Sequence, residues 1–308
     1  MRQRLSLSGE IPPAAVVEAF DGVGLIRSEY VIRAGGHFIS ARRTQDALRE
    51  YVAAVARAVP DRPIWYRTSE MTSQEANTLI GVDRTYTEAD FMKGRRGVRR
   101  ARETPEAFET ELRVVAEVAA DHPNLHVLAP FVRDAEDLAF VADTLDRMDW
   151  PNRFGSMVEI PSALFDIEEF AALGASNFLL GLNDLSSTLT ATTREFWDMK
   201  LHPSVWWAID RVASLAKGAS WEWGLAGNLS PAVVERAEFA DVPYVSMHYS
   251  ELPKLLGWDE NTLPDIDLVA RTKAFTREQI ARAEERALRE RLGLDAVAPT
   301  GKAQTHGD

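Results

Sequence analysis

The feature that most constrains the fold of this chain is a regular alternation of short apolar runs with longer amphipathic stretches. In segments such as PEAFETELRVVAEVAAD the apolar residues recur every three or four positions, which is typical of helices. The short runs between them are largely apolar, as expected for strands buried on both faces of a parallel sheet. The predicted strands are residues 4–9, 23–28, 63–68, 125–132, 155–161, 177–184, 221–227 and 242–248.

Eight strand–helix units in about 260 residues predict a single-domain α/β fold, the (β/α)8 or TIM barrel. A doubly wound parallel sheet is the structural alternative. We expect the barrel to span residues 1–295. Residues 296–308 are polar and rich in small side chains, so we expect a disordered tail there.

Composition excludes several classes of function. The formal net charge is −12, and a chain this acidic is a poor ligand for nucleic acid, because attraction to phosphate needs a basic surface. The absence of cysteine excludes disulfides, thiolate catalysis and cysteine-ligated metals. The first residues, MRQRLSLSGEIPP, lack the apolar core of a signal peptide, and no apolar run approaches the roughly 18 residues of a membrane span. We therefore expect a cytoplasmic protein with no membrane partner.

Arginines stand at the carboxyl ends of early strands, on the side where a barrel carries its active site. Arg27 lies at the end of the second predicted strand, Arg67 at the end of the third, and Arg96 in the loop that follows. Glu29 and Glu70 come shortly after the first two. Charged side chains in apolar strands are costly unless they are paired or bind something. These guanidinium groups predict a clamp for a carboxylate or phosphate, with structural ion pairs as the alternative interpretation.

Acidic and amide residues occupy the later strand ends. Glu159 lies at the end of the fifth predicted strand, and Asn183 and Asp184 end the sixth. Two carboxylates from neighbouring strands, completed by water and substrate oxygens, suit octahedral Mg²⁺, with Mn²⁺ as the alternative ion. His248 follows the last strand and is a candidate acid or base. The sequence thus predicts a site for a small dianion bridged to a metal.

The seventh strand ends differently, in the stretch WGLAGN at residues 223–228. This stretch has no acid, base or nucleophile. Two glycines flank Leu225 and Ala226, so backbone or a ligand can approach closely beside Ala226 and Gly227.

At these residues the chain resembles the phosphoenolpyruvate-binding barrel of phosphoenolpyruvate synthase, pyruvate phosphate dikinase and enzyme I of the sugar phosphotransferase system. DGVGLIRSEYVI and YRTSEM resemble the arginine motifs of that family's second and third strands, and YTEADFMKGRRGVRR resembles its arginine loop. MVEIPSA resembles its metal-glutamate motif, and LLGLNDLSS resembles its Asn-Asp metal motif. The similarity runs from about residue 4 to residue 256, with the motifs in order.

The resemblance implies specific roles. Three arginines would bind the phosphate and carboxylate of phosphoenolpyruvate, Asn183 would contact the substrate beside Ala226 and Gly227, and two carboxylates would ligate Mg²⁺. In that family the phosphoryl group passes to a histidine on a separate mobile domain, so any phosphocarrier is expected on another chain. The resemblance also implies a homodimer. The implied arginines are Arg27, Arg67 and Arg96, and the implied metal ligands are Glu159 and Asp184.

One difference between this sequence and the family affects the expected reaction mechanism. Where the family has a cysteine in its strand-7 motif, WGLAGN has Ala226. That cysteine exchanges a proton with the methyl carbon of the enolate, and alanine cannot do so. An enolate formed here would be protonated by water or by another group such as His248, or captured by a carbon electrophile; phosphoryl transfer to a small acceptor is also open.

Three functional hypotheses therefore remain. The first is a Mg²⁺-dependent, phosphotransferase-like enzyme acting on phosphoenolpyruvate, pyruvate or a related 2-oxo acid through an enolate. The second is a class II metal-dependent pyruvate aldolase or lyase of the hydroxyoxoheptanedioate aldolase and citrate lyase type, whose metal motif NDLSSTL also resembles. The third is a non-catalytic regulatory barrel that binds the same ligands. A decayed site would be expected to lose its costly charges, yet the sequence retains them, which favours an enzyme.

Overall fold

The computed structural model describes residues 1–82, 85–86, 88, 94–193, 197–263 and 268–292. Eight parallel strands form a closed barrel in sequential order, and the last strand pairs with the first. The closed barrel confirms the predicted (β/α)8 fold and excludes the doubly wound sheet. The strands are β1 (Arg2–Leu7), β2 (Val23–Arg27), β3 (Ile64–Arg67), β4 (Leu125–Ala129), β5 (Phe154–Val158), β6 (Asn177–Gly181), β7 (Glu222–Ala226) and β8 (Tyr244–His248).

Helices connect the strands, and local sequence signals fix several of their starts. The side chain of Asp134 accepts a hydrogen bond from the Asp137 amide at the start of one helix, and Thr72 and Glu75 form a reciprocal capping box at another. The helices are α1 (Ala14–Glu18), α2 (Ser28–Ala34), α3 (Arg42–Ala58), α4 (Ser73–Asn77), α5 (Val98–Glu103), α6 (Pro105–Ala119), α7 (Ala135–Arg147), α8 (Ile167–Ala172), α9 (Leu182–Thr190), α10 (Pro203–Leu215), α11 (Pro231–Phe239), α12 (Leu252–Leu256) and α13 (Leu268–Arg291).

The barrel interior is a packed core. Inward-facing apolar side chains fill its middle, and above them lies the end at which the strands finish. Below them, Arg4 is 1% exposed, is paired with Glu222 at 2.9 Å, and stacks on the Tyr244 ring at 4.0 Å. The interior is therefore closed at the bottom, and its open end lies at the carboxyl ends of the strands. The interior apolar residues are Leu25, Trp65, Leu128, Met157, Leu179, Ala226 and Tyr244.

The boundaries expected from the sequence include the end of the sixth strand and the start of the tail. The sixth strand ends at Gly181, so the prediction that Asn183 and Asp184 end this strand is wrong, and both lie in the first turn of α9. The helix begins directly after the strand without a loop, which an apolar run alone does not reveal. The predicted tail at 296–308 lies outside the described residues, and the boundary at residue 295 stays a prediction.

Each helix in the described part of the chain is too short or too polar to span a membrane.

Candidate functional site

A cavity of about 360 Å³ opens at the carboxyl ends of the strands. The apolar interior forms its floor through Leu25, Met157 and Ala226. Every residue predicted from sequence to contact a substrate, ligate a metal or act in catalysis lines this one cavity. Their individual roles stay predictions. These residues are Arg27, Arg67, Arg96, Glu159, Asn183, Asp184, Ala226, Gly227 and His248.

Two buried arginines share one carboxylate at the centre of the cavity. Arg67, at the end of β3, donates to Glu29 Oε1 at 2.5 Å and also pairs with Glu70. Arg96, in the loop before α5, pairs with the other oxygen of Glu70. Burial lowers the pKa of Arg67, but Glu29 and Glu159 outweigh this effect, so the pKa stays above its ordinary value. Glu70 therefore bridges two guanidinium groups as a bound anion would.

Arg27 is situated differently from these two arginines. It lies at the end of β2 with its guanidinium 4.9 Å from the centre of the Tyr30 ring. Its Nε is buried without a hydrogen-bond partner. Among the described residues, no carboxylate is within ion-pair distance of Arg27. This arginine therefore offers the cavity a positive charge that none of the described carboxylates neutralises directly.

A buried glutamate behind the cavity joins the two arginine-bearing strands. Glu111 on α6 accepts hydrogen bonds from the Tyr66 hydroxyl at 2.7 Å, the Ser69 amide at 2.8 Å and the Ser28 hydroxyl at 3.1 Å. Ser28 directly follows β2, and Ser69 lies two residues after β3. Burial raises the pKa of Glu111 to about 7, although these hydrogen bonds oppose the rise. Sequence reasoning missed this residue because it lies on a helix, far from any strand end.

Three carboxylates come together beside the two buried arginines. Glu70, Glu159 and Asp184 each place one oxygen within 4.8 Å of the others, and all three side chains are buried. Burial raises the pKa of Glu159; Arg67 opposes the rise and Asp184 adds to it. Hard carboxylate oxygens grouped in this way fit Mg²⁺ or a similar divalent cation. Glu70 is a third candidate ligand that the resemblance did not imply.

The backbone is adapted to hold these groups. Glycine is required at Gly181, because a Cβ atom there would lie 2.6 Å from Cγ of Glu159. Phe131, after β4, has a left-handed backbone with φ of 53° and donates its amide to Glu159 Oε2 at 3.0 Å. The Phe131 ring lies 3.8 Å from the Arg96 guanidinium. One strained turn thus positions a predicted metal ligand and a predicted substrate arginine together.

The WGLAGN turn positions Asn183. The amide of Asn228 donates to Asn183 Oδ1 at 3.1 Å, and Lys200 Nζ donates to the Asn228 carbonyl at 2.6 Å from the other side. Gly227 has φ of 131°, and a Cβ atom there would lie 3.1 Å from Asn183 Oδ1. The absence of a side chain at Gly227 therefore leaves room for the Asn183 carboxamide, and the Asn228 amide fixes its orientation.

His248, the last residue of β8, is held at both ring nitrogens. Its Nε2 lies 2.9 Å from Glu10 Oε1, and its Nδ1 lies 2.7 Å from Ser250 Oγ. The amide of Ser8 donates to both oxygens of Glu10 at 2.9 Å. Sequence reasoning missed Glu10, although the signal was present, because Glu10 directly follows the first predicted strand.

The described part of α13 lies at the rim of the cavity. Ile280 lines the cavity together with Gln74 of α4, and Gln74 Nε2 donates to Glu284 Oε1 at 3.4 Å. The sequence of this helix is rich in charged residues and gives no indication that it borders the site.

Residues 10–255 match the family model described as PEP-utilising enzyme, PEP-binding domain. Phosphoenolpyruvate synthase of Pyrococcus furiosus is 29% identical over 238 residues, covering 71% of this chain and 29% of that protein. Phosphoenolpyruvate-protein phosphotransferase of Haloferax volcanii is 29% identical over 294 residues, covering 87% of this chain and 50% of that protein. The chain therefore spans half or less of the length of these relatives.

Among solved structures, an HpcH/HpaI aldolase/citrate lyase family protein from Burkholderia cenocepacia superposes with a TM-score of 0.49. Its sequence is 15% identical, and the superposition covers 91% of this chain and 94% of that one. A similarity at this level carries no argument about function.

Proposed function

Because the chain belongs to the family of PEP-utilising enzymes, whose PEP-binding domain it matches, we propose that it is a Mg²⁺-dependent enzyme acting on phosphoenolpyruvate, pyruvate or a related 2-oxo acid through an enolate. The observation that carries the proposal is the cavity itself. It combines arginines that can clamp an anion with a buried cluster of three carboxylates.

The charge of the cavity supports a requirement for metal. Among the described residues, four arginines and six carboxylates line it, so with every carboxylate ionised their charges sum to about −2. A ligand with its own negative charge would be repelled from such a cavity unless a divalent cation bound as well. When bound, Mg²⁺ would supply positive charge beside the substrate oxygen that becomes negative in the enolate. Glu159 and Asp184 would hold the cation, with Glu70 as a further ligand.

The chain's own polar groups would bind and orient the substrate. Arg27 would take the carboxylate or phosphate of the ligand, because no described carboxylate competes for it within ion-pair distance. Arg67 and Arg96 would form the other side of the anion site. Asn183, whose Oδ1 is engaged by the WGLAGN turn, would present Nδ2 to a substrate oxygen.

Three outcomes can follow the binding of such a ligand. Ala226 offers only a methyl group to the cavity floor and is 1% exposed, so the proton chemistry must differ from thiol-based proton exchange. Phosphoryl transfer to a separate phosphocarrier protein or small acceptor is one outcome. Carbon–carbon bond formation or cleavage, as in a class II pyruvate aldolase or lyase, is the second candidate. Ala226 favours this reaction, because a carbon electrophile can capture an enolate without a thiol acid. A non-catalytic binding role is the third.

Isothermal titration calorimetry with phosphoenolpyruvate and pyruvate, each with and without Mg²⁺, tests this proposal. We expect both ligands to bind in the presence of Mg²⁺ and to bind much more weakly without it. Absence of binding of either ligand under both conditions would refute the proposal. A homodimer and a cytoplasmic location, both expected from sequence, stay predictions.

A further inference from the structure

An enolate can form from pyruvate, or be converted to it, only if a proton moves from or to the methyl carbon. Most polar groups around the cavity are unsuited to this task. The arginines stay protonated, and the carboxylate cluster is engaged by arginines. The interior floor is apolar. His248, Ser250 and Glu10 form a hydrogen-bonded chain that reaches the cavity and is not part of the anion or metal sites.

The geometry of this chain resembles a carboxylate–imidazole–hydroxyl relay. The Ser250 amide donates to His248 Nδ1 at 3.2 Å, so Nδ1 is an acceptor and Nε2 carries the hydrogen that is donated to Glu10. The Ser250 hydroxyl, 2.7 Å from Nδ1, lines the cavity. Glu10 is 6% exposed, and its carbonyl accepts a hydrogen bond from the Tyr51 hydroxyl at 3.1 Å. The imidazole is thus held in the tautomer that can accept a proton through Ser250.

A second histidine, His202, shows which of the His248 contacts belong to ordinary helix capping. His202 caps α10, its Nδ1 accepts from the Ser204 amide at 3.2 Å, and it lies 2.8 Å from the Ser204 hydroxyl. His248 makes the same pair of contacts with Ser250. The pairing with serine is therefore ordinary capping in both places. The contact with Glu10 has no counterpart at His202 among the described residues, so capping does not explain it.

The position of His248 also suits the task. Ala226 pairs with Ser246 across the β7–β8 ladder, and His248 follows two residues later on the same inward face of the barrel. The relay therefore rises beside Ala226, on the apolar floor of the cavity.

We propose that Glu10, His248 and Ser250 form the proton-handling group of the enolate chemistry; this rests on the proposed function. A methyl proton of pyruvate passes to Ser250 Oγ while the Oγ proton passes to His248 Nδ1. The C–H electron pair becomes the carbon–carbon π bond, and the carbonyl π pair moves to oxygen. Glu10 stabilises the imidazolium at its Nε2–H. The reverse sequence protonates an enolate at carbon. Ser250 is the catalytic residue that meets the substrate, and His248 and Glu10 act through it.

Other charged groups face the same region. Glu251 accepts the His248 amide at 2.9 Å, and Arg27 acts electrostatically on Glu251. Tyr249 stacks on the His248 ring at 4.2 Å. Replacing Glu10 by Gln removes one carboxylate from this set and keeps an amide oxygen for the Ser8 amide. We expect that change to make the imidazole less basic, so the acid limb of a pH–rate profile should move to lower pH.

Exchange of the pyruvate methyl protons in D2O with Mg²⁺, followed by NMR, tests the inference. His248→Asn keeps an oxygen that can cap Ser250 but cannot carry a proton, and we expect it to slow exchange about 100-fold or more. Glu10→Gln should slow exchange about tenfold and shift the pH profile as stated. Ser250→Ala should also slow exchange. His202→Asn, at the matched cap, should leave the rate unchanged.

The outcomes separate this inference from the proposed function. Calorimetry with pyruvate and Mg²⁺ is run on the wild type and each variant. If the wild type binds pyruvate but exchanges no methyl protons, or if His248→Asn exchanges at the wild-type rate, the proton relay is wrong and the binding site stands. If the wild type binds neither pyruvate nor phosphoenolpyruvate, with or without Mg²⁺, the proposed function itself is wrong.

Discussion

Replacing Glu70 by Gln is predicted to strengthen the binding of phosphoenolpyruvate in the absence of Mg²⁺. Glu70 pairs with both Arg67 and Arg96, so in the free protein it occupies the guanidinium groups that an anionic ligand needs. The glutamine side chain would keep the same shape at this position without the negative charge. A ligand would then no longer compete with an internal carboxylate for the two arginines.

The magnitude follows from the spacing of the charges. The Glu70 carboxylate lies within 4.8 Å of the other two carboxylates of the cluster. Two like charges at such a distance repel by about 3 kcal/mol at an effective dielectric constant of about 20. A ligand anion on the same arginines would stand at a similar distance from Glu70. Allowing for relaxation and screening, we expect binding about tenfold to hundredfold tighter, or about 1.4 to 3 kcal/mol.

The substitution should also destabilise the fold, but only moderately. Arg67 keeps Glu29 at 2.5 Å, and Asp184 lies 3.7 Å from Arg96. Neither arginine is left without a carboxylate nearby, so we expect a loss of about 1 to 3 kcal/mol in the free energy of unfolding. Urea denaturation measures this term separately from ligand binding.

Calorimetric titration with phosphoenolpyruvate in the absence of Mg²⁺ measures the predicted gain in affinity, and Glu75→Gln is the matched control. Glu75 also lines the cavity, but its carboxylate pairs with Arg33 at 2.7 Å. Glutamine is compatible with the capping box that Glu75 forms, so α4 should remain intact. The control removes the same charge from the cavity without touching the arginine pair. Equal affinities of Glu70→Gln and the wild type, or equal gains in Glu70→Gln and Glu75→Gln, would refute the reasoning.

Three further predictions concern the frame of the site. Arg27→Ala should weaken phosphoenolpyruvate binding in the presence of Mg²⁺ by about 2 kcal/mol, measured by calorimetry. The free energy of unfolding should change by less than about 1 kcal/mol, because no described carboxylate pairs with Arg27. Burial raises the pKa of Glu111 from 4.5 to about 7, so the free energy of unfolding should fall by about 3 kcal/mol as pH rises from 4.5 to 7. Urea denaturation at several pH values should show that Glu111→Gln removes this pH dependence. Gly227 has φ of 131°, so Gly227→Ala should cost about 1 to 3 kcal/mol of stability and also weaken pyruvate binding by displacing Asn183. Gly36→Ala should leave binding unchanged, because a Cβ atom there has no neighbour within 4 Å.

The fold and the membership of the cavity could be predicted from the sequence because parallel strands finish at one face of a barrel. An arginine at the end of β2 and a glutamate after β5 must then project into the same space, whatever their separation in the chain. The order of strands along the chain is sufficient for this conclusion. That is why Arg27, Arg67 and Glu159 could be assigned to one cavity without a structure.

The pairing of charges inside the cavity could not be predicted in the same way. Glu70 was visible at a strand end, but whether it faces Arg67, Arg96 or the metal cluster depends on side-chain directions that sequence order does not specify. Glu10 and His248 are 238 residues apart and meet only because β8 closes on β1. The role of WGLAGN was hidden for a related reason, since the turn acts through its backbone amide on Asn183 and not through a side chain.

We propose that one buried site binds a divalent cation and a 2-oxo acid together. An electron paramagnetic resonance titration with Mn²⁺, in the absence and presence of pyruvate, tests it most directly. We predict one site per chain, tighter Mn²⁺ binding when pyruvate is present because the two ligands are linked, and loss of that site in Glu159→Gln and Asp184→Asn. Mn²⁺ affinity that is unaffected by pyruvate, or unchanged in both variants, would contradict the claim.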